Sequence, residues 1–592
     1  MQNLTKLLCQ SYDDIPDQAA LQLLYSDKPT TTIRYRDLLH QSAGYSSALC
    51  DAGIKPGEVV ILILEHGEDL VHAFFGSIIS GAIPSIMPFL TEKLSPGVYR
   101  KSLASLLEIT APSAVITFPE FEEEISQACR GTRVRKILVT EKVRDSFPIS
   151  EEKNFDLLIG LKSNIDDIVL LQHSSGTTGL QKGIALSHRA VINQITSYSE
   201  SLELSAGDVV VSWLPLYHDM GLIAGFILPV LARIPLVLMS PFDWVRAPYR
   251  LMQAISTYNG TLCWLPNFAY NFCAQKIRDR DLEGVDLSSL RAVINCSEPM
   301  YWKSHKMFLD RFNSIGLRSE NLATCYAMAE NVFAVTQGGI KSPVVVDVID
   351  KKYFHSHQTA KPVRDHHLWG DDTEGEEEKF EDDSTMKMLS AGRAIEGTSI
   401  RILDQRGEEL NDRQIGEIAI KSDCMLSGYY NRPELSEKAF KEGWYLTGDL
   451  GYRVDGELFV TGRLKDLIIV GGKNIYPGDL ETLASEVEGV HPGRVAAFGV
   501  FNQQLGTEEV VLVAESNLIP VSDIKSYDPQ APNPHADLLA SEIRKKVTRS
   551  SDVSLRYVYI VGQDWLIKTS SGKVARSANR EKYLKHIYNN NI

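Results

Sequence analysis

At 592 residues, with 44% hydrophobic and 23% charged side chains, the chain has the makeup of a globular protein too long for one core, so two or more domains are expected. Its formal net charge of −15 (61 Lys+Arg against 76 Asp+Glu) argues against a nucleic-acid binder, which needs a basic face to neutralise phosphates. The same acidity makes an acidic carrier protein a demanding partner that requires a local basic patch. The eight cysteines are scattered with no C-x-x-C pair, so buried free thiols in a reducing compartment are expected rather than a metal knuckle or redox motif.

Met1 to Ala20 holds Asp13, Asp14 and Asp17 and no uninterrupted apolar run, which argues against a secretory signal. Tyr35 to Leu49 has a helical rhythm. Val59 to Leu64 reads as a buried strand, Asp69 to Ser80 as a helix ending at Gly81, and Ile83 to Met87 as a strand again. The alternation continues through Ala114–Thr117 and Lys136–Val139, predicting parallel sheets covered by helices.

The segment Ser174-Ser175-Gly176-Thr177-Thr178-Gly179-Leu180-Gln181-Lys182-Gly183 follows the apolar run Ile168 to Leu171, so a hydroxyl- and glycine-rich loop with a lysine at its exit leaves a strand. Successive backbone N–H groups in such a turn form an anion-binding concavity, and hydroxyls add donors for phosphate oxygens. Gly-Lys-Ser/Thr does not close the string, so it is not the P-loop of nucleotide triphosphatases. Gly221 to Met239 is long enough to cross a bilayer, but Pro229, Arg233 and Pro235 interrupt it, and an arginine at a bilayer centre costs at least about 2.5 kcal/mol. A buried helix followed by a buried strand is expected there, with no membrane span and a cytoplasmic location.

Gly338 to Ser390 breaks the rhythm with two acidic runs, Asp371 to Glu378 and Glu381 to Asp383. Like charges at this density repel and solvate, predicting a disordered surface loop. His355, His357, His366 and His367 lie in it without helical i, i+4 spacing, so a solvated insertion is preferred to a metal site. Beyond Gly462 a smaller unit follows. The expected fold class is α/β: a large domain over residues 1–462, carrying the insertion 338–390, and a small α+β domain over 463–592, whose mobility is implied only by the resemblance given next.

The loop at 174–183 resembles the phosphate loop of the adenylate-forming superfamily, which includes acyl-CoA synthetases, firefly luciferase and nonribosomal adenylation domains. Further strings in this chain are similar to that family's motifs in order and spacing: Trp213 to Leu222, Asn295 to Pro299, Tyr326 to Glu330, Tyr445 to Gly451, Thr461 to Gly472 and Lys568 to Lys573. The resemblance implies a β-barrel-like subdomain in the large domain, ATP and Mg²⁺ as cofactors, and formation of an acyl-adenylate with release of pyrophosphate. It places the triphosphate on Ser174, Ser175, Gly176, Thr177, Thr178, Gly179 and Lys182, with Thr177 also counted as catalytic. Adenine would lie against Tyr326 and Ala327 (a glycine in the family) and be flanked by Cys296 and Ser297. Glu330 would help hold Mg²⁺, usually through water as that ion prefers. Asp449 would accept both ribose hydroxyls, a task suited to an acceptor-only group, and Arg463 would face ribose or phosphate. Lys465 would be the hinge. Lys573 would reach the reacting carboxylate and α-phosphate and offset charge building up there.

His218 and Asp219 can be an acid/base dyad or a gate at the pocket floor; the gate is preferred, because activation by ATP needs no general base at the carboxylate. Met220, Trp264 and Phe268 are expected to touch the acyl group, with Phe226, Ile227 and Leu265 as apolar lining. Within the superfamily the chain looks most like the fatty acyl-AMP ligases, on His218 to Ile223, Pro266 to Tyr270, Gly462 to Ile469 and Asn474 to Glu481. In those ligases an insertion after the Glu motif packs against the small domain and favours an acyl carrier protein over CoA. A medium- to long-chain fatty acid is therefore the expected substrate and a carrier protein in trans the expected acceptor. An acyl-CoA synthetase, an amino-acid adenylation domain and a catalytically silent scaffold are the alternatives.

Overall fold

The computed structural model describes residues 2–89, 96–146, 155–174, 182–369, 384–470, 473–502, 507–519, 533–550, 553, 555–569 and 572–585. Two parallel sheets dominate the large domain. In the first, Leu322–Cys325, Ala292–Cys296, Leu262–Leu265, Val210–Ser212, Leu236–Met239 and Ala19–Leu24 run parallel in that spatial order, and Thr31–Arg34 closes one edge antiparallel. The second is all parallel, in the order Ile83–Ile86, Val59–Ile63, Ala114–Thr117, Lys136–Val139. All five residues of Val59–Ile63 are buried, as the unbroken apolar run requires of a strand covered on both faces.

The run from 221 to 239 is the expected buried helix and strand, with a refinement. Met220–Ile227 is a π-helical turn, continued by Leu228–Leu231, and the strand is Leu236–Met239. Such wide turns are rare and recur at functional sites.

Two antiparallel sheets form the barrel-like part. One holds Thr398–Leu403, Gly416–Ser422, Trp444–Val454, Phe440–Lys441 and Glu457–Arg463. The other holds His367–Leu368, Val345–Asp350 and Thr385–Leu389. This second sheet overturns part of the disordered-loop expectation for 338–390. Val346 and Val348 are fully buried, Ile349 and Phe354 join Tyr452 and Phe459 in one apolar cluster, and Lys351–His357 is a helix. Buried Asp347 is paired with Arg413 at 3.0 Å and accepts from the Tyr452 hydroxyl at 3.0 Å. The apolar residues preceding the acidic runs decide the structure of this part; the runs themselves lie outside the described residues.

The described residues from Ile468 onward build an α+β unit with its own apolar clusters. Val490–Asn502 pairs antiparallel with Thr507–Ser516, which pairs parallel with Tyr557–Val561. Pro477–Ser485 and Pro534–Ser550 contribute to the apolar cluster on one face, and Arg576–Tyr583 supplies Tyr583 to the cluster on the other. Of the cysteines, six are buried free thiols, while Cys9 is half-buried and Cys50 exposed. No helix among the described residues is long and apolar enough to cross a membrane.

Candidate active site

Ligands of open parallel sheets sit beyond the carboxyl ends of the strands. Four strands of the first sheet deliver their following residues to one such edge: Trp213 to Asp219 after Val210–Ser212, Pro266 to Phe268 after Leu262–Leu265, Ser297 and Glu298 after Ala292–Cys296, and Tyr326 to Glu330 after Leu322–Cys325.

Asp219 caps the π-helical turn by accepting the Met220 N–H at 2.8 Å, and His218 Nδ1 lies 2.6 Å from the same oxygen. Burial pushes this carboxyl up, but His218, Lys573 and the Met220 amide outweigh it and hold Asp219 below the ordinary carboxylate value. The next residues leave no room for a side chain on the backbone: a Cβ on Gly221 would collide with the Pro215 carbonyl. Gly221→Ala is therefore expected to destabilise the large domain by about 1–3 kcal/mol, as overpacking does, read as a lower Tm by scanning calorimetry.

Lys573 reaches this edge from the small domain. Its Nζ donates to the Ser297 carbonyl, a partner 276 positions away in sequence. Ser297 itself has φ +66°, a left-handed conformation uncommon outside glycine. Its hydroxyl lies against Met220 Sδ at 3.8 Å and Cys296 Sγ at 3.7 Å. Cys296 is fully buried, so only its backbone is placed to face a ligand. Glu298 accepts the Phe268 N–H at 2.9 Å.

On the other side, the Tyr326 hydroxyl donates to Asp449 Oδ2 at 2.7 Å, and Arg463 Nε lies 3.2 Å from Asp449 Oδ1. Glu330 accepts from the Tyr429 hydroxyl at 2.9 Å, and Tyr429 in turn lies 2.8 Å from the Tyr445 hydroxyl. Lys182 Nζ stands over the Tyr429 ring, 4.4 Å from its centroid. Burial pushes the Glu330 carboxyl above its ordinary value, against the pull of Tyr429 and Lys182. Lys465, in the turn Leu464–Asp466, is pulled down by burial and by the like charges of Arg463 and Lys182. Ala327 bridges antiparallel to Ala334. Directly after Glu330, Val332 closes a tight turn with φ +61° and ψ −55°, in which the Phe333 N–H donates to the Asn331 carbonyl at 2.6 Å. A β-branched residue held there stores strain beside the site.

The loop itself is a hairpin connection. Ile168–Ser174 pairs antiparallel with Lys182–Ser187, and the register sets Ser174 opposite Lys182. Ser175, Gly176, Thr177, Thr178 and Gly179 lie outside the described residues. Among the expected acyl contacts, Met220 is buried beside Ser297, while Phe268 is 40% exposed and edges Trp213 and Trp244. Trp264 is 0% exposed and its indole N–H donates to the Tyr198 hydroxyl at 2.8 Å, so it is a wall of the core behind the edge.

Sequence reasoning missed Tyr429, whose hydroxyl donates to Glu330, the part played by Tyr445, which opens the motif ending at Gly451 and lies against Tyr429, and His173, whose ring lies 2.6 Å from Ser85 Oγ immediately before the loop. Burial pulls His173 down to about 4, so it is neutral at physiological pH.

A family model described as AMP-binding enzyme matches residues 12–430. The chain belongs to the AMP-binding enzyme family. A solved structure from a study of fatty acyl-adenylate ligases of E. coli and L. pneumophila superimposes with a TM-score of 0.85 at 25% identity, covering 100% of this chain and 99% of that one. A protein named a fatty-acid–CoA ligase, fadD25, from Mycobacterium tuberculosis is 28% identical over 578 residues, 93% of this chain and 92% of its own. The medium-chain-fatty-acid–[acyl-carrier-protein] ligase JamA of Moorena producens is 28% identical over 578 residues, 94% of this chain and 91% of its own. The AMP-binding enzyme described here is thus a ligase of the adenylate-forming superfamily, with its fold: a large α/β domain and a small C-terminal α+β unit.

Proposed function

We propose that the chain activates a medium- to long-chain fatty acid with ATP, releasing pyrophosphate, and passes the acyl group from the adenylate to the phosphopantetheine thiol of an acyl carrier protein in trans. The observation that carries the reading is the convergence of Lys573, from the far end of the sequence, on Ser297, at the strand-end edge that also carries Asp219 and Glu330. Asp449, held ready between Tyr326 and Arg463, suits a pair of ribose hydroxyls. The division at residues 462 and 463, with the hinge at Lys465, belongs to the same reading.

Among the described residues no group of three or more His, Cys, Asp or Glu side chains could cage a metal. A single partly buried carboxylate fits Mg²⁺ well, because that ion keeps its waters and is bound by one or two carboxylates together with phosphate oxygens. Glu330 would hold it, and the ion would offset charge on the triphosphate. The protein's own part is positioning and electrostatics: Lys573 directs a cation toward the attacking carboxylate, while Asp219 is kept ionised to orient that lysine rather than to take a proton.

The carrier-protein acceptor is supported by the helix Lys351–His357 in the insertion. Phe354 packs on Tyr476 with ring centroids 5.4 Å apart, and His355 Nε2 lies 3.7 Å from Asp479 Oδ2, so the insertion grips the small unit as a restraint on its swing would. JamA, by its name, uses a carrier protein, whereas fadD25, by its name, uses CoA. ATP–pyrophosphate exchange across a panel of fatty acids, followed by acceptor competition, tests the reading. Exchange with C8–C16 acids and acylation of a pantetheinylated carrier protein is the expected result. Thioester formed on CoA in preference overturns the acceptor, and no exchange with any carboxylic acid overturns the reaction.

A further inference from the structure

The turn that carries Lys573 is closed by its own hydrogen bonds: the Thr569 N–H donates to the Lys573 carbonyl at 2.7 Å, the Gly572 N–H to the Thr569 carbonyl at 2.9 Å, and the Lys573 N–H to Thr569 Oγ1 at 3.2 Å. Thr569 is thus tied to Gly572 and Lys573, and the aim of Lys573 depends on what anchors the exit. The exit is Arg576, the first residue of the helix Arg576–Tyr583. Its Nε and Nη2 form a fork on Glu481 at 2.7 and 2.6 Å, and its Nη1 donates to Asp466 Oδ2 at 2.7 Å. Bidentate guanidinium–carboxylate pairs fix geometry as well as charge. Glu481 also accepts the Ala497 N–H at 3.0 Å, so this carboxylate is fixed to the small unit's sheet.

Asp466 is the residue after Lys465, and all three partners are mostly buried, with side chains 26%, 8% and 16% exposed for Arg576, Asp466 and Glu481. Asp466 also acts on Arg463, whose Nε lies 3.2 Å from Asp449. Charges therefore alternate in one row, Asp449, Arg463, Asp466, Arg576, Glu481, from the strand expected to bind ribose, through the hinge segment, to the base of the lysine turn. The Tyr301 hydroxyl of the large domain lies against Gly478, 3.4 Å from where a Cβ there would sit, and Lys303 pairs with Glu486 at 3.0 Å, so the row sits where the two units touch.

We propose that Asp466 and Arg576 are positioning residues for the adenylation step: the Asp466–Arg576–Glu481 trio braces the hinge segment against the exit of the Lys573 turn and sets where the ammonium lands. This rests on the adenylation reading above. Neither residue touches the reacting atoms; both act through Lys573. The fork on Glu481 survives in Asp466→Asn, so this variant loosens the hinge link without leaving an unpaired buried guanidinium.

The test is steady-state adenylation and amide hydrogen exchange on full-length wild type, Asp466→Asn, Arg576→Lys, Lys573→Ala and the double variant Asp466→Asn/Lys573→Ala. Asp466→Asn is expected to lower kcat for adenylate formation about ten- to a hundredfold, the scale of a misplacement near 1 Å, with KM for ATP within about twofold. Arg576→Lys, which loses the fork, is expected to follow it. In the Lys573→Ala background Asp466→Asn is expected to be silent, because the two act as one unit. Exchange at the amides of Thr569, Gly572, Lys573 and Ala575 is expected to quicken. The proposal is overturned if Asp466→Asn matches wild type in rate and exchange, if it costs the same factor with and without Lys573, or if it raises KM for ATP instead. A wild type that adenylates no acid defeats the adenylation reading, and the exchange measurements then decide the brace alone.

Discussion

Lys573→Ala is expected to lower acyl-adenylate formation about a thousandfold, with Tm unchanged. A cation about 4 Å from developing negative charge, at an effective dielectric near 20, is worth roughly 4 kcal/mol, and each 1.36 kcal/mol in the barrier is about tenfold in rate. The side chain forfeits its hydrogen bond to the Ser297 carbonyl and its charge near Asp219, both between the two units and outside their apolar cores. Pyrophosphate release near the wild-type rate would remove Lys573 from the reaction. A fall in Tm matching the fall in rate would make it a structural residue.

Glu330→Gln is expected to cut adenylation about a hundredfold, the loss typical of a carboxylate that supports a metal through its outer shell, and to make the ligand-free protein more stable at neutral pH. Burial raises the Glu330 carboxyl above its ordinary 4.5 in the folded chain. A group with a raised folded value favours the fold when protonated, below the unfolded value, and loses that advantage as pH rises through the folded value. Wild type therefore carries a penalty at pH 7 that glutamine lacks, and the gap in Tm should close as pH falls toward the ordinary carboxylate range. Tyr429 donates to Oε1 at 2.9 Å, a bond a glutamine carbonyl also accepts. A variant that melts lower than wild type at pH 7, or that keeps full activity, would contradict this account. The combination of greater stability and lost activity is the usual mark of a site that holds an uncompensated charge for its ligand.

Legibility in the sequence followed the range of the interaction. Val59–Ile63 could be read as a covered strand because each residue's burial is dictated by its own neighbours, and all five are buried. At 168–171 the apolar run was legible as a strand leading into a glycine-rich loop, but the return of Lys182–Ser187 antiparallel to it, Ser174 against Lys182, needed the structure. The stretch from 338 misled for a local reason. The dense acids at 371–383 dominate its composition, while Val346 and Val348 are fully buried and Ile349 and Phe354, from the strand and the helix, pack with Tyr452 and Phe459. Tyr429 was invisible because it meets Glu330 across 99 positions, and no local pattern marks a tyrosine as a hydrogen-bond donor to a distant carboxylate.

What the amino-acid order determined by itself was the set of reactive residue types and the strand ends that carry them, since hydrophobic periodicity and glycine placement act over a few residues. Tertiary structure alone decided that Lys573 meets Ser297 over 276 positions and that Arg576 joins Asp466 over 110. Such pairings depend on how two separately folded cores come to rest against each other, and the periodicity of neither core contains that information.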